Sequence, residues 1–237
     1  MHDTPQTAAG DVLTVRDLLK CYTLPDTGAT VPVVDVRAFS LAAAAQAAIE
    51  GVSGSGKTTF LHLLAGILQP DSGTVTVAGE ALSSMSESRR DLWRGRHIGY
   101  VFQTFNLLQG YTALENVLLA MMFGRGADAA AAMDLLARVG LSDRAHHRPR
   151  QLSTGQQQRV TIARALANHP ALVLADEPTG NLDAARGREA LSLLRDVCAE
   201  RDAALLVVSH DHGVLRQFPT VVPFASINRA AADGGAA

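Results

Sequence analysis

The sequence predicts an α/β fold with a helical insertion, and three observations carry that reading. Apolar runs of strand length alternate with stretches of helical periodicity along most of the chain. One of those runs, Leu172-Val173-Leu174-Ala175, shows no polar alternation, as expected of a parallel strand covered on both faces. Between Thr112 and Val139 the strand signal gives way to apolar residues at three- and four-residue steps.

Size and composition agree with a packed domain. The chain has 237 residues, of which 47% are hydrophobic and 19% charged, enough to fill a core. The net charge of -2 argues against a general nucleic-acid binder. No run of 18 apolar residues is present, and the N-terminal residues do not read as a signal peptide. Cys21 and Cys198 lack metal-ligand spacing and read as reduced thiols. Only two of the 21 basic residues are lysines, Lys20 and Lys57, so a lysine inside a motif stands out.

In chain order, Val31 to Val36 and Ala47 to Glu50 read as strands, and Lys57 to Ala65 as a helix after a glycine-rich turn. Thr74 to Val77 alternates at period two and ends at Gly79; Ile98 to Phe102 is a further strand. The insertion, at roughly Thr104 to Leu152, contains helical periodicity through Leu114, Val117, Leu118 and Met121, then Met133, Leu136 and Val139, closed by Gly140. A polar loop, Ser142 to Arg150, precedes a helix from Gln156 to Asn168 that stops before Pro170. Strand Ala171 to Ala175, helix Ala184 to Cys198 and strand Ala203 to Val208 complete the alternation. The stretch Phe218 to Asn228 yields no assignment, and the alanine- and glycine-rich tail, 230–237, is expected to be disordered.

Gly51-Val52-Ser53-Gly54-Ser55-Gly56-Lys57-Thr58 matches G-x-x-x-x-G-K-[ST] between a strand and a helix. Glycines let successive backbone N–H groups curl toward an anion, and the helix N-terminus adds its positive dipole end. Lys57 is expected on the β- and γ-phosphates and the Thr58 hydroxyl on Mg²⁺. A chance glycine turn is a poor competitor in a chain with so few lysines. The motif by itself says only that a nucleoside triphosphate is bound.

Leu172 to Ala175 ends in Asp176-Glu177, where ligands of open α/β sheets sit. Asp176 is expected to hold Mg²⁺ through its water shell, and Glu177 to orient or deprotonate the attacking water. Neighbouring strand residues point to opposite faces, so both reach one site only if the chain turns there. Farther back, Leu152-Ser153-Thr154-Gly155-Gln156 starts a helix with capping-box spacing between Ser153 and Gln156. Capping does not account for Gly155 or for the run Gln156-Gln157-Gln158-Arg159.

Here the sequence resembles the ATP-binding subunits of ABC transporters, whose signature reads Leu-Ser-Gly-Gly-Gln, over about Leu13 to Phe218. The resemblance implies a P-loop NTPase with a RecA-like core sheet, an N-terminal antiparallel β subdomain and an inserted α-helical subdomain. It implies a single ATP-binding domain at 11–229, with the helical subdomain at about 104–152 and the signature helix at 153–168. By the same resemblance Tyr22 stacks on adenine, Gln103 is the Q-loop glutamine that reaches the metal, Asn181-Leu182-Asp183 is the D-loop and His210 the switch histidine. Nucleotide contacts are then expected from Tyr22, Gly51 to Thr59, Gln103, Ser153, Gly155, Gln156 and Asp183. Catalytic roles fall to Lys57, Glu177 and His210, and metal contacts to Thr58, Gln103 and Asp176. The alternative of a metal site at His210 and His212 has little support, because two-residue spacing at a strand end is weak for ligation.

The resemblance further implies a head-to-tail homodimer clasping two ATP, with Ser153 and Gly155 of one copy meeting the γ-phosphate held by the other. Thr154 departs from the signature; a β-branched residue there weakens closure if the position needs positive φ or close backbone approach. Ala175 to Asp183, Phe105 to Leu108 and Thr112 to Val117 look like the lipoprotein-release and macrolide-export branch. That branch works at the cytoplasmic face of the inner membrane on a four-helix permease with a periplasmic domain. Phe105, Leu107 and Leu108 either receive the permease's coupling helix or fill the core. A regulator of the same fold, acting through a permease-like partner on cell-wall enzymes, is the alternative. A DNA-repair ATPase would need long heptad arms between Lys57 and Asp176, and a nucleotide kinase has no use for the signature helix.

Overall fold

The computed structural model describes residues 10–230, so the disorder expected of 230–237 lies outside the described residues except at Ala230, where the backbone is helical. Two sheets share the chain. Strands β1 (Asp11–Thr23), β2 (Thr30–Ala42), β4 (Ser72–Val77) and β5 (Glu80–Ala81) form an antiparallel sheet in the order β2-β1-β4-β5. Strands β3 (Gln46–Glu50), β6 (Ile98–Val101), β7 (Leu172–Asp176), β8 (Ala204–Ser209) and β9 (Thr220–Pro223) form a parallel sheet in the order β6-β7-β8-β3-β9.

Period-two packing explains why the parallel strands read as unbroken apolar runs. Leu172 and Leu174 of β7 and Leu206 and Val208 of β8 join one core with Phe60, Leu64 and the antiparallel sheet. Val173, Ala175, Leu205 and Val207 point the other way, into a core with Val160, Ile162 and Leu191. The first core is covered by α1 (Lys57–Leu64), the second by α5 (Thr154–Leu166) and α6 (Ala184–Glu200).

The inserted region contains α3 (Ala113–Met122) and α4 (Ala129–Arg138), preceded in the chain by α2 (Glu87–His97). Thr112 and Glu115 close a capping box on α3, Asp128 caps α4, and Gly140 ends α4 with φ 72°. Two short 3-10 turns occupy the polar loop that follows. Helix α2 was not foreseen: it buries only Arg90 and has no apolar stripe. Arg90 Nε and Arg94 Nη1 both donate to Gly66 O, at 2.9 and 3.1 Å, which ties it to the end of the α1 segment. The unassigned C-terminal stretch supplies β9, followed by α8 (Phe224–Ile227), after a short turn α7 (His212–Leu215). Among the described residues no helix is long and apolar enough to cross a membrane.

Candidate nucleotide site

The phosphate loop joins β3 to α1, and Gly56 stands at the N-cap of α1 with φ 95°. A Cβ on Gly56 would lie 2.7 Å from Val33 O, so glycine is required there by both conformation and space. The loop opens onto a cavity of about 250 Å³ lined by Ser53, Gly54, Gly56, Lys57, Thr58, Thr59, Gln103, Asp176, Glu177 and His210, with Val33 as a further wall. Ten of the expected site residues therefore converge although they come from four separate segments. Gly51, Val52 and Ser55 belong to the same loop but do not line the cavity. Ser55 Oγ donates to Val52 O at 2.9 Å, and Lys57 Nζ donates to Gly51 O and Val52 O at 2.6 and 2.7 Å. Burial lowers the Lys57 pKa, with Glu177 and Asp176 opposing that shift.

At the end of β7, Asp176 is buried, and desolvation raises its carboxyl pKa against a hydrogen bond from Thr58 and the charge of His62. Glu177 follows with φ 43°, a left-handed conformation rare for a residue with a side chain. That turn is how two consecutive carboxylates serve one site. Glu177 Oε2 accepts from Ser209 Oγ at 2.9 Å, and Oε1 accepts from His210 N at 3.2 Å and His210 Nδ1 at 2.6 Å. A carboxylate accepts at this contact when the imidazole carries its proton on Nδ1.

Gln103 is held from behind: Asn181 Nδ2 donates to its carbonyl at 2.6 Å, linking the D-loop to the Q-loop. Arg164 of α5 donates to Phe105 O at 3.0 Å and Asn106 O at 2.6 Å, and Gln158 Nε2 donates to Pro178 O at 2.7 Å. Ser209, Asn181, Gln158 and Arg164 carry no motif of their own, so sequence reading assigns them no role, although Asn181 was noted within the D-loop.

Tyr22 lies outside the phosphate cavity, on the end of β1, with an exposed ring; Lys20 Nζ sits 5.8 Å from its centroid and bonds Asp71 at 2.8 Å. Ser153, Gly155 and Gln156 line a second cavity of about 250 Å³ with Arg159, Arg186 and Glu189, which shares no wall with the first. Ser153 and Gln156 complete a capping box, and Asp183 caps α6 through Arg186 N. Thr154 is not among the residues with positive φ, so its β-branch brings no backbone strain. A Cβ on Gly155 would meet nothing nearer than Arg186 Cδ at 3.5 Å, so packing within the chain does not demand glycine there.

The open choice between docking surface and core falls differently for the three residues. Leu107 is buried and Phe105 packs against the same core, so they fill it. Leu108 is exposed. A separate, largely apolar cavity of about 490 Å³ lies between α2, α3, α5 and β6, lined by Ile67, Leu92, Phe102, Phe123 and their neighbours.

The donors expected for Mg²⁺, a threonine hydroxyl, a glutamine carbonyl and a carboxylate, are hard oxygen ligands and suit that ion. Among the described residues no group of three or more His, Cys, Asp or Glu could hold a metal ion.

Comparison with known proteins places the chain in a family. The profile of the ABC transporter family matches residues 34–180. The lipoprotein-releasing system ATP-binding protein LolD of Pseudomonas syringae pv. tomato is 43% identical over 214 residues, 89% of this chain and 93% of that protein. LolD of Chromohalobacter salexigens is 40% identical over 220 residues, 90% and 91% of the two chains. An ABC transporter ATP-binding protein of Thermotoga maritima is 53% identical over 167 residues, 69% and 70%. The dimeric ATP-binding cassette MJ0796 in a post-hydrolysis state, bound to ADP and Pi, superimposes with a TM-score of 0.80 at 33% identity, covering 90% of this chain and 94% of that one. The chain belongs to the ABC transporter family, as an ATP-hydrolysing cassette with a P-loop NTPase α/β fold.

Proposed function

We propose that residues 11–229 form one cassette that dimerises head-to-tail around two Mg-ATP and drives a separate membrane permease of the lipoprotein-release type. The observation that carries the dimer is Gly155. It lies beside the helix-capping Ser153 in a cavity separate from the phosphate loop, and nothing in its own chain requires it to lack a side chain. Glycine there gives a partner's nucleotide close access to the N-terminus of α5, where free N–H groups favour an anion. MJ0796, a dimer in its solved forms, supports the same arrangement.

In this reading Lys57 leaves the loop carbonyls for the phosphates, while Thr58, Asp176 and Gln103 hold Mg²⁺. An ion held by these residues would supply positive charge to the phosphate oxygens. Glu177 accepts a proton from, or orients, the attacking water, and His210 fixes the Glu177 carboxylate through Nδ1. Tyr22 offers its ring to the adenine, and Asp183 of the D-loop contacts the nucleotide. Hydrolysis removes the γ-phosphate contact to Ser153 and Gly155, and the dimer opens; binding energy specific to the closed form sets the population.

The permease assignment rests on the LolD relatives and on the groove between α2 and α3, which offers an apolar seat for a helix at the membrane periphery. The test is reconstitution in proteoliposomes with a permease of the lipoprotein-release type from the same organism. Stimulated ATP hydrolysis, lost in Phe123→Asp, supports the assignment; hydrolysis indifferent to the permease contradicts it.

A further inference from the structure

The C-terminal segment lies outside the stretch matched by the family profile, yet it forms the underside of the phosphate loop. β9 runs parallel to β3 and brings Pro223 opposite Glu50, the last residue before the loop. Phe224 then packs under Gly51, where a notional Cβ would sit 3.3 Å from Phe224 Cβ. One helical turn later comes Asn228, 1% exposed.

Asn228 uses its whole side chain. Oδ1 accepts from Asp35 N at 2.7 Å, and Nδ2 donates to Val33 O at 3.1 Å and to Ser55 O at 3.5 Å. The two carbonyls it bridges belong to β2 and to the phosphate loop. Val33 O is also the atom that confines Gly56. Without the carboxamide, the Val33 and Ser55 carbonyl oxygens would lose the donor they share in a partly buried space.

We propose that Asn228 is a positioning residue of the phosphate loop, fixing the Ser55–Gly56 peptide plane so that Gly56 N–H points into the phosphate cavity. In a trans peptide the carbonyl and the following N–H point in opposite directions. Holding Ser55 O toward Asn228 therefore turns Gly56 N–H away from it. Gly56 has no Cβ to restrain that plane, and its φ of 95° lies where glycine moves freely, so an outside anchor is needed. Nucleotide binding then avoids the ordering cost of the loop. This concerns the affinity of one chain for nucleotide and is independent of dimer and permease.

The test compares Asn228→Ala and Asn228→Asp with Arg229→Ala in the full chain. Arg229→Ala breaks the neighbouring contact of Arg229 Nη2 with Asp35 Oδ1 at 2.7 Å but leaves the loop untouched. Affinity for Mg-ADP is measured by calorimetry and folding by thermal melting. N228A and N228D are expected to bind Mg-ADP about tenfold more weakly, the effect of one lost buried hydrogen bond. R229A is expected to melt earlier with affinity within about twofold of the parent. Wild-type affinity in a folded N228A or N228D, whatever its melting temperature, overturns the proposal. In the unaltered protein the Asn228 side-chain amide resonances should shift on adding Mg-ADP; resonances that stay in place overturn it as well.

Discussion

Glu177 Oε1 and His210 Nδ1 lie 2.6 Å apart, and the same carboxylate takes a second donor, Ser209 Oγ, on its other oxygen. The side chain of Glu177 is 10% exposed, while that of His210 is 62% exposed. The Glu177 carboxylate is therefore fixed in a buried frame, and His210 is the partner in it that faces solvent. Ser209 is fully buried and also accepts from Asp211 N at 3.1 Å, so it braces the switch segment and the carboxylate together.

Ser209→Ala removes one charge-assisted hydrogen bond from Glu177. We expect kcat to fall about tenfold, since such bonds are worth about 1.5–3 kcal/mol, while KM for ATP stays within about twofold. Steady-state kinetics on the purified chain reads both. An unchanged kcat would remove Ser209 from the account.

Asp176 carries a stability cost. Desolvation raises its pKa in the folded state above the unfolded value, so the fold disfavours the ionised form. The cost is absent below the unfolded pKa and is fully present once pH has risen past the folded one. Asp176→Asn keeps a carbonyl to accept from Thr58 and removes the charge. We expect a higher melting temperature at pH 7, by about 2–4 °C for each 1 kcal/mol relieved, and a gain that shrinks as pH falls toward 4. ATP hydrolysis should be lost in the same variant. Scanning calorimetry across that pH range tests the sign.

The two thiols should behave differently. Burial pushes the Cys198 thiol up to about 12, whereas Cys21 is half-buried on β1. At pH 8 a thiol-specific chromogenic reagent is expected to titrate Cys21 in the folded chain and both cysteines after unfolding. Rapid reaction of two thiols in the native state would contradict the packing of α6 on its core.

Thr154→Gly restores the residue usual at that signature position. Because Thr154 already has an ordinary negative φ, glycine relieves nothing, and it weakens the first turn of α5 by about 0.5–1 kcal/mol at most. ATP hydrolysis within about twofold of the parent is expected. A large gain would mean that close approach at this position limits closure.

The phosphate loop was legible because G-x-x-x-x-G-K-[ST] is local: its glycines, its lysine and the flanking strand and helix are contiguous. Strand β7 was legible because both of its faces are buried, which leaves an unbroken apolar run. Helix α2 was not, because Arg90 and Arg94 anchor it through guanidinium contacts to Gly66 O rather than through an apolar stripe. The role of Asn228 was also hidden: its partners Val33, Asp35 and Ser55 lie more than 170 positions away along the chain. Phe105 and Leu107 read equally well as core or as docking surface, and only their packing against α3 and α5 decided for the core. The turn that brings Asp176 and Glu177 together was anticipated in outline, but its left-handed form at Glu177 has no sequence signal.

The claim on which the functional account depends is that two copies of this chain close on shared nucleotide. Glu177→Gln removes the base while leaving Lys57, Ser153 and Gly155 in place, so it should trap the closed form. Sedimentation velocity of that variant with Mg-ATP is the direct measurement. The account predicts a dimer with ATP and a monomer with ADP. A variant that binds Mg-ATP at its phosphate loop and still sediments as a monomer, alone and with the permease in detergent, would contradict it.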